Sequence, residues 1–317
     1  MKNWRSQHYR TIGSEKGISL DVLNAAVQTG EAIVQKNARL QPVFTLRHLA
    51  YLTDCDYGLL RAIIGRSTQN PYRVFRIHKR PGQDGLSRYR TICVPNPQLL
   101  TVQRWLVTNI LNHAAPLIHA ASKAFAPGCT LLRAAEPHCG AKWLIKVDIR
   151  NFFESVSEIA AYRAFRRLGY QALMSFELAR LCTRLGRRTK PRSHQQWHLK
   201  PWRRYEIDAY NHKGRIGHLP QGAPTSPMLA NLAMWAADDE LHALAVMFRL
   251  TYSRYADDLV FSTTDPTFTR KQAVSVIGRV YRILGQYGFS PNTAKTQIVP
   301  PRARKIVLGL LVDEPIP

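Results

Sequence analysis

The chain has 317 residues, 45% of them hydrophobic and 9% aromatic, which excludes a disordered chain and leaves room for one large domain or two ordinary ones. Lys and Arg number 45 against 21 Asp and Glu, a formal net charge of +24, so its field attracts polyanions and nucleic acid is the expected partner. No apolar run reaches the ~18 residues of a membrane span, and Met1-Lys2-Asn3-Trp4-Arg5 has no apolar stretch behind it, so neither a membrane nor a secretory signal is expected.

Residues 1–18 are basic and turn-rich and read as an arm. Ser19 is placed to cap a helix through Leu20, Leu23, Val27 and Val34, with Gly30 as a candidate break. Thr45 caps a second helix, Leu46–Leu52, and a third follows at Gly58–Ile64. Tyr72–Ile77 and Tyr89–Val94 read as strands joined by the turn Lys79-Arg80-Pro81-Gly82-Gln83-Asp84-Gly85, a hairpin rich in cations. Pro97 opens a helix to about His113, and Ser122–Gly140 is loop-like. Trp143–Asp148 is a buried strand ending in an acid, and the amphipathic stretch Ile159–Leu185 is one or two helices.

Between Arg184 and Arg215 lie ten Lys and Arg against two acids, with Trp197, Trp202, Tyr205 and Tyr210 interleaved. That pattern suits phosphate neutralisation and base stacking, and Arg187, Arg188, Trp197, Trp202, Arg203 and Arg204 are its candidate nucleic-acid contacts, against the alternative of a solvated loop. His194 and His198 lack a third ligand nearby, so no zinc site is expected. Leu219–Pro227 is a Pro/Gly-rich loop, followed by a helix from Met228 to about Val246 whose Asp238-Asp239-Glu240 is read as a solvated face. The hairpin Tyr252–Ser262, a helix Arg270–Tyr287 and two short strands near Thr296–Val299 and Lys305–Val312 complete an α+β core with an antiparallel sheet. The five cysteines (Cys55, Cys93, Cys129, Cys139, Cys182) form no C-x-x-C pair and read as free thiols in a reducing cytoplasm.

Asp257 and Asp258 sit side by side at the tip of the Tyr252–Ser262 hairpin. At ~4 Å two like charges repel by about 1 kcal/mol in water and ~4 kcal/mol near a protein surface. Solvent relieves this at a turn, and so does a divalent cation, which prefers carboxylate oxygens. Asp148, at the end of another strand, is a third carboxylate, and metal-assisted phosphoryl transfer uses carboxylates from separate strands around cations ~3.5–4 Å apart.

Asp148-x-x-x-Phe152-Phe153, Pro220-Gln221-Gly222-x-x-x-Ser226-Pro227, Tyr255-Ala256-Asp257-Asp258, Asn292-x-x-Lys295 and Val307-Leu308-Gly309-Leu310 resemble, in order and spacing, the successive palm motifs of reverse transcriptases. The resemblance implies a right-hand polymerase fold with fingers and palm, an antiparallel palm sheet with packed helices, and RNA-directed DNA synthesis. It makes Asp148, Asp257 and Asp258 catalytic metal carboxylates for two Mg²⁺ ions, with Mn²⁺ as a substitute, and gives the Ile149 backbone to the metal or triphosphate. Phe153 falls at the aromatic that excludes a 2′-hydroxyl, and Gln221 at a contact to the incoming nucleotide. Arg90, with Lys79 or Arg88, falls on the triphosphate, and Lys295 at a candidate general acid for pyrophosphate.

Within the family the chain is similar to the bacterial retron-type enzymes, whose context implies a cognate non-coding RNA template, its cDNA product, dNTPs, an effector or toxin partner, antiphage defence and the bacterial cytoplasm. Ala134-Ala135-Glu136-Pro137-His138 resembles their Asn-Ala-x-x-His element with Ala134 in place of Asn, and Leu308 stands where their Val-Thr-Gly element has Thr. The expected layout is an N-terminal helical region at 1–70, fingers at 71–140 and a palm at 141–317 with the basic insert at 184–218. No helical thumb is recognised after the last palm strands. The rival readings are a defence-associated reverse transcriptase without a retron RNA and a catalytically idle RNA-binding scaffold.

Overall fold

The computed structural model describes residues 4–67, 70–78, 89–186 and 216–314. Its helices are α1 (Ser6–Glu15), α2 (Leu20–Lys36), α3 (Leu46–Thr53), α4 (Tyr57–Ile64), α5 (Pro97–Leu106), α6 (Leu131–Ala135), α7 (Phe152–Ser155), α8 (Glu158–Arg167), α9 (Ala172–Cys182), α10 (Ser226–Met247) and α11 (Arg270–Gln286). Its strands are β1 (Tyr72–His78), β2 (Tyr89–Pro95), β3 (Trp143–Asp148), β4 (Thr251–Tyr255), β5 (Asp258–Thr263), β6 (Gln297–Val299), β7 (Ile306–Val307) and β8 (Leu310–Leu311). None of the described helices is long and apolar enough to cross a membrane.

The expected arm at the N-terminus is a helix. Its Gly13 lets α1 lie against Leu23 of α2, and Gly30 does not break α2 but lies inside it, where the Trp4 indole packs so closely that a Cβ would stand 2.7 Å from it. The glycine is the cost of seating a tryptophan on a helix backbone. Ser19 precedes α2 without a side-chain cap, whereas Thr45 accepts from His48 N (3.1 Å) and Asp56 from Leu59 N (2.7 Å) as capping residues do. The stretch expected as a loop at 122–140 contains α6, which starts where Thr130 accepts from Arg133 N at 3.2 Å. Lys305–Val312 is a hairpin rather than one strand, because Leu308 (φ 52°) and Gly309 (φ 89°) supply two successive positive φ values, the geometry of the tightest hairpin turns.

The chain divides into two units, Met1–Pro116 with Ser157–Leu229, and Leu117–Val156 with Ala230–Pro317. In the first, Glu158 is fully buried and lies between Arg66 (2.8 Å) and Arg180 (3.0 Å), with Gly217 N also donating to it at 3.2 Å. The antiparallel β1–β2 hairpin belongs to the same unit, as does the bridge in which Arg184 N donates to His218 O (3.0 Å) and His218 N to Arg184 O (2.9 Å). That bridge brings together the two sides from which the basic segment departs. Arg187, Arg188, Trp197, Trp202, Arg203 and Arg204, with Lys79 and Arg88 of the hairpin turn, lie outside the described residues.

The second unit is built on a four-stranded antiparallel sheet of order β4-β5-β3-β6. The inner strands β3 and β5 are covered on both faces, so Leu144, Ile145, Val147, Leu259, Val260 and Phe261 form nearly continuous apolar runs, each at most 4% exposed. Burying each such side chain stabilises by roughly 1.5–3 kcal/mol. This covered sheet is the platform that carries the acids.

Candidate active site

Register places the acids. Asp148, the last residue of β3, is paired with Asp258, the first of β5, so two strands deliver carboxylates to one end of the sheet. Ile149 N donates to Asp257 O at 2.9 Å, which ties the segment after β3 to the turn between β4 and β5. Asp258 is crowded. Burial, then the charges of Asp257 and Asp148, push its carboxyl up to about 6.

Asp148 is gripped from the other side. Asn292 N donates to the Asp148 backbone oxygen (2.7 Å), Asn292 Nδ2 to its Oδ1 (2.8 Å) and Lys295 Nζ to its Oδ2 (2.7 Å). Burial works against the Lys295 charge, but the hydrogen bond to Asp148 and the three nearby carboxylates more than offset it, so the ammonium titrates above the ordinary lysine value. Lys295 was expected near the chemistry. Asn292 was visible only as the first letter of its motif, and its direct hold on Asp148 is a product of the fold.

Among the described residues no three His, Cys, Asp or Glu side chains already converge into a closed metal cage. The donor chemistry nevertheless suits a hard divalent cation. It is oxygen-only, carries three like charges at one sheet end, and leaves Asp258 destabilised as an anion. The three aspartates and the Ile149 backbone are therefore the groups that would hold an oxygen-preferring divalent ion.

Phe152 and Phe153 are adjacent and differ in setting. Asn151 adopts φ 49°, which turns the chain into α7 so that Phe152 is buried against Phe289, while Phe153 is only half-buried. Phe153 lies 6.0 Å from the Phe125 ring, and Phe125 lies 6.5 Å from Tyr255, which precedes the acidic turn. Phe125, 39% exposed with φ 64°, joins this aromatic group although nothing in the local sequence marks it.

Arg90 and Gln221 lie in the other unit and are linked through β2. Gln221 O accepts from Cys93 N at 2.7 Å. Gly222 (φ +107°) presses on the same strand, where a Cβ would stand 2.8 Å from Ile92 Cγ2. Arg90, itself exposed, lies on the same face of β2 as Ile92. The structure thus brings Asp148, Ile149, Asp257, Asp258, Phe153 and Lys295 into one unit, and Arg90 with Gln221 into the other.

Asp238 overturns the expectation of a solvated Asp238-Asp239-Glu240 face. Asp239 and Glu240 are exposed, but Asp238 is completely buried and holds Arg254 in a two-pronged ion pair (Nε–Oδ1 2.8 Å, Nη2–Oδ2 2.7 Å). Tyr252 donates its hydroxyl to the same carboxylate at 2.8 Å.

The opposite face of β4 is held by His138. Its ring nitrogens meet Ser253 Oγ and Ser262 Oγ, each at 2.7 Å, so the residue expected in a retron-like element is a strap across the hairpin. Burial pushes His138 down to about 4, against an ordinary 6.5. The unfolded chain therefore takes up a proton between those values that the folded chain refuses. Stability from the neutral imidazole is complete above about 6.5 and is lost as pH falls towards 4. Asp258, raised to about 6, works in the opposite direction over part of this window. Parent and His138→Gln should therefore be compared by urea unfolding at pH 7.5 and pH 5. The parent's advantage is expected to shrink by about 2 kcal/mol at the lower pH. A constant difference would show that His138 does not titrate as its burial demands.

A family model described as reverse transcriptase (RNA-dependent DNA polymerase) matches residues 77–310. The chain is 32% identical over 246 residues to the Retron Mx162 reverse transcriptase of Myxococcus xanthus, covering 74% of this chain and 46% of that protein. It is 28% identical over 281 residues to the Retron Ec86 reverse transcriptase of Escherichia coli, covering 88% and 74% respectively. It is 29% identical over 252 residues to the Retron Mx65 reverse transcriptase of Myxococcus xanthus, covering 76% and 51%. The chain thus spans about half the length of two of these three relatives. Among solved structures, a telomerase from Candida albicans overlaps 80% of this chain and 46% of its own at a TM-score of 0.48 and 14% identity, a partial backbone likeness from which nothing about the site follows.

Proposed function

This chain belongs to the reverse transcriptase (RNA-dependent DNA polymerase) family, with retron enzymes as its relatives, and on that premise we propose that it extends a primer with dNTPs on an RNA template. The observation that carries the proposal is the delivery of Asp148 and Asp258 in register to one sheet end beside Asp257. The carboxylates of Asp148, Asp257 and Asp258, with the Ile149 backbone, would hold two Mg²⁺ ions, or Mn²⁺ in their place, which supply Lewis-acid polarisation of the phosphoryl oxygens and ease loss of the proton from the primer 3′-hydroxyl.

The chain's own groups do the rest. Lys295 keeps its proton beside Asp148 and is the group to neutralise, or protonate, the leaving pyrophosphate. Arg90 would meet the triphosphate and Gln221 the nucleotide, a reading supported by the family motifs in which they fall. The half-buried Phe153 would underlie the sugar and exclude a 2′-hydroxyl.

The expected test result is dNTP incorporation by the purified chain on a primed RNA in Mg²⁺. Phe153→Ala should then raise rNTP use relative to dNTP by about 10–100-fold, the range open to a steric pocket. An unchanged ratio would remove the gate role.

We further propose that the template is a structured non-coding RNA and the setting antiphage defence, with an effector protein as partner. The net charge of +24 and the retron relatives support this. Sequencing the nucleic acid that copurifies with the protein tests it. A branched RNA–DNA molecule is expected, whereas RNA alone, without incorporation activity, would favour an RNA-binding scaffold.

A further inference from the structure

Arg254 lies three residues before Asp257, yet its guanidinium points into the protein rather than towards the acids. It is completely buried, and its donors are distributed over three partners. Nε and Nη2 go to the two oxygens of Asp238, while Nη1 reaches Asn231 Oδ1 (3.2 Å) and the backbone oxygen of Ala256 (3.1 Å). Asn231 and Asp238 are seven apart on α10 and so share one face of that helix.

The frame around the guanidinium is fixed at each contact. Asn231 Oδ1 accepts from Ser122 Oγ at 2.9 Å, and its Nδ2 donates to Ala124 O at 2.7 Å. The Arg254 backbone is held as well, donating to Ala121 O and accepting from Lys123 N, both at 2.8 Å. The Phe152 ring lies 5.8 Å from the guanidinium. Ala256, the residue that Arg254 restrains, has φ 55°, a left-handed conformation that an L-residue other than Gly keeps only where its surroundings impose it. Asp257 and Asp258 follow directly.

A buried ion pair is weak grounds for stability, because well-packed apolar residues of similar volume often replace one without loss. What apolar residues cannot do is donate to the Ala256 carbonyl. We propose that the Asp238–Arg254 pair is a positioning device. Through Arg254 Nη1, helix α10 holds Ala256 in its left-handed turn and so sets where the Asp257 and Asp258 carboxylates stand. The inference rests on the polymerase reading and deepens it. Arg254 and Asp238 are positioning residues and touch neither nucleotide nor metal.

The test replaces the pair without leaving a charge behind. Asp238→Leu with Arg254→Met, in which the Tyr252 hydroxyl loses its acceptor, is expected to melt somewhat below the parent and to bind primed RNA as the parent does. Its kcat for dNTP addition is expected to fall by about 10²-fold, the order of loss that follows a misplacement of roughly 1 Å. Mn²⁺ affinity, measured by electron paramagnetic resonance without substrate, should weaken at least about fivefold. Amide hydrogen exchange at Ala256–Asp258 should quicken.

Arg254→Lys keeps the charge opposite Asp238 but cannot serve both Asp238 oxygens and the Ala256 carbonyl, and it carries the test if the double variant does not fold. It should lose kcat and Mn²⁺ affinity in the same direction. Parental kcat, Mn²⁺ affinity and exchange in whichever folded variant is measured would overturn the proposal. A parent that incorporates no dNTP, or is unaffected by Asp257→Asn, would instead overturn the polymerase reading, and this inference with it.

Discussion

Asp257→Asn should abolish primer extension, with kcat for dNTP addition falling at least about 10³-fold while the affinity for primed RNA stays within roughly twofold. The substitution keeps the side-chain volume and removes one of the three negative charges gathered at the end of β3 and β5. A single preorganised electrostatic contact to a transition state is commonly worth 10²–10³ in rate, and a carboxylate that also holds a catalytic cation supports more than one such contact. Asp257 offers little to RNA affinity, because a carboxylate repels phosphate and the basic remainder of the chain supplies the attraction. A companion effect should appear at Asp258. With the Asp257 charge gone, the Asp258 carboxyl should titrate below about 6, although burial and Asp148 continue to hold it up. The titration can be followed by carboxyl carbon NMR on the Asp-labelled protein. Extension at the parental rate would exclude the assignment of the turn as the metal-binding centre.

Glu158→Ala is expected to lower stability by about 3–5 kcal/mol, as removal of one partner from a buried ion pair does. Glu158 is 0% exposed and has two arginines on its carboxylate, Arg66 from beyond α4 and Arg180 from α9. Arg66 also donates to Thr183 O at 2.7 Å, and Glu158 N donates to Gly217 O at 2.7 Å. Without the carboxylate, the largely buried Arg66 and Arg180 guanidinium ions lose the acceptor that they share.

The effect carries a pH signature of definite sign. Burial raises the Glu158 pKa, but the charges and hydrogen bonds of Arg66 and Arg180 more than offset that, so it lies below the ordinary glutamate value. A depressed carboxylate stabilises the fold fully above the unfolded-chain value near 4.5, and this contribution is lost as pH falls through the folded value. Urea unfolding should therefore show a large gap between parent and Glu158→Ala at neutral pH that narrows only below the normal carboxylate range. A gap that is small at pH 7 would mean that the arginines find other partners.

Much of the candidate site's layout was legible because its determinants are local. A strand that ends in Asp148, a tight turn bearing Asp257 and Asp258, and a Pro/Gly loop around Gln221 each follow from a few consecutive residues, and the family resemblance rests on their order. Capping at Thr45 and the limits of β1, β2, β3 and α11 were readable for the same reason. The misreadings share a different cause. Gly30 looks like a helix break until Trp4 occupies the space above it. Leu308-Gly309 looks like the middle of a strand until two positive φ values fold it into a hairpin.

Asp238-Asp239-Glu240 is the clearest case. Three consecutive acids on one helix carry the same local signal, and each successive residue rotates by about 100° around the axis. Rotation alone sends them in different directions, but it does not say which direction holds an arginine. That depends on β4 lying beside α10 with Arg254 facing it, a pairing made only when the chain has folded. By itself the sequence determined the family, the order of its motifs and the three aspartates proposed to bear the chemistry, because these are short runs with local geometry. The tertiary structure decided what holds those aspartates in place, Lys295 and Asn292 on Asp148, His138 on one face of the hairpin and Asp238 through Arg254 on the other, because each is a contact between distant residues whose strength comes from shared burial.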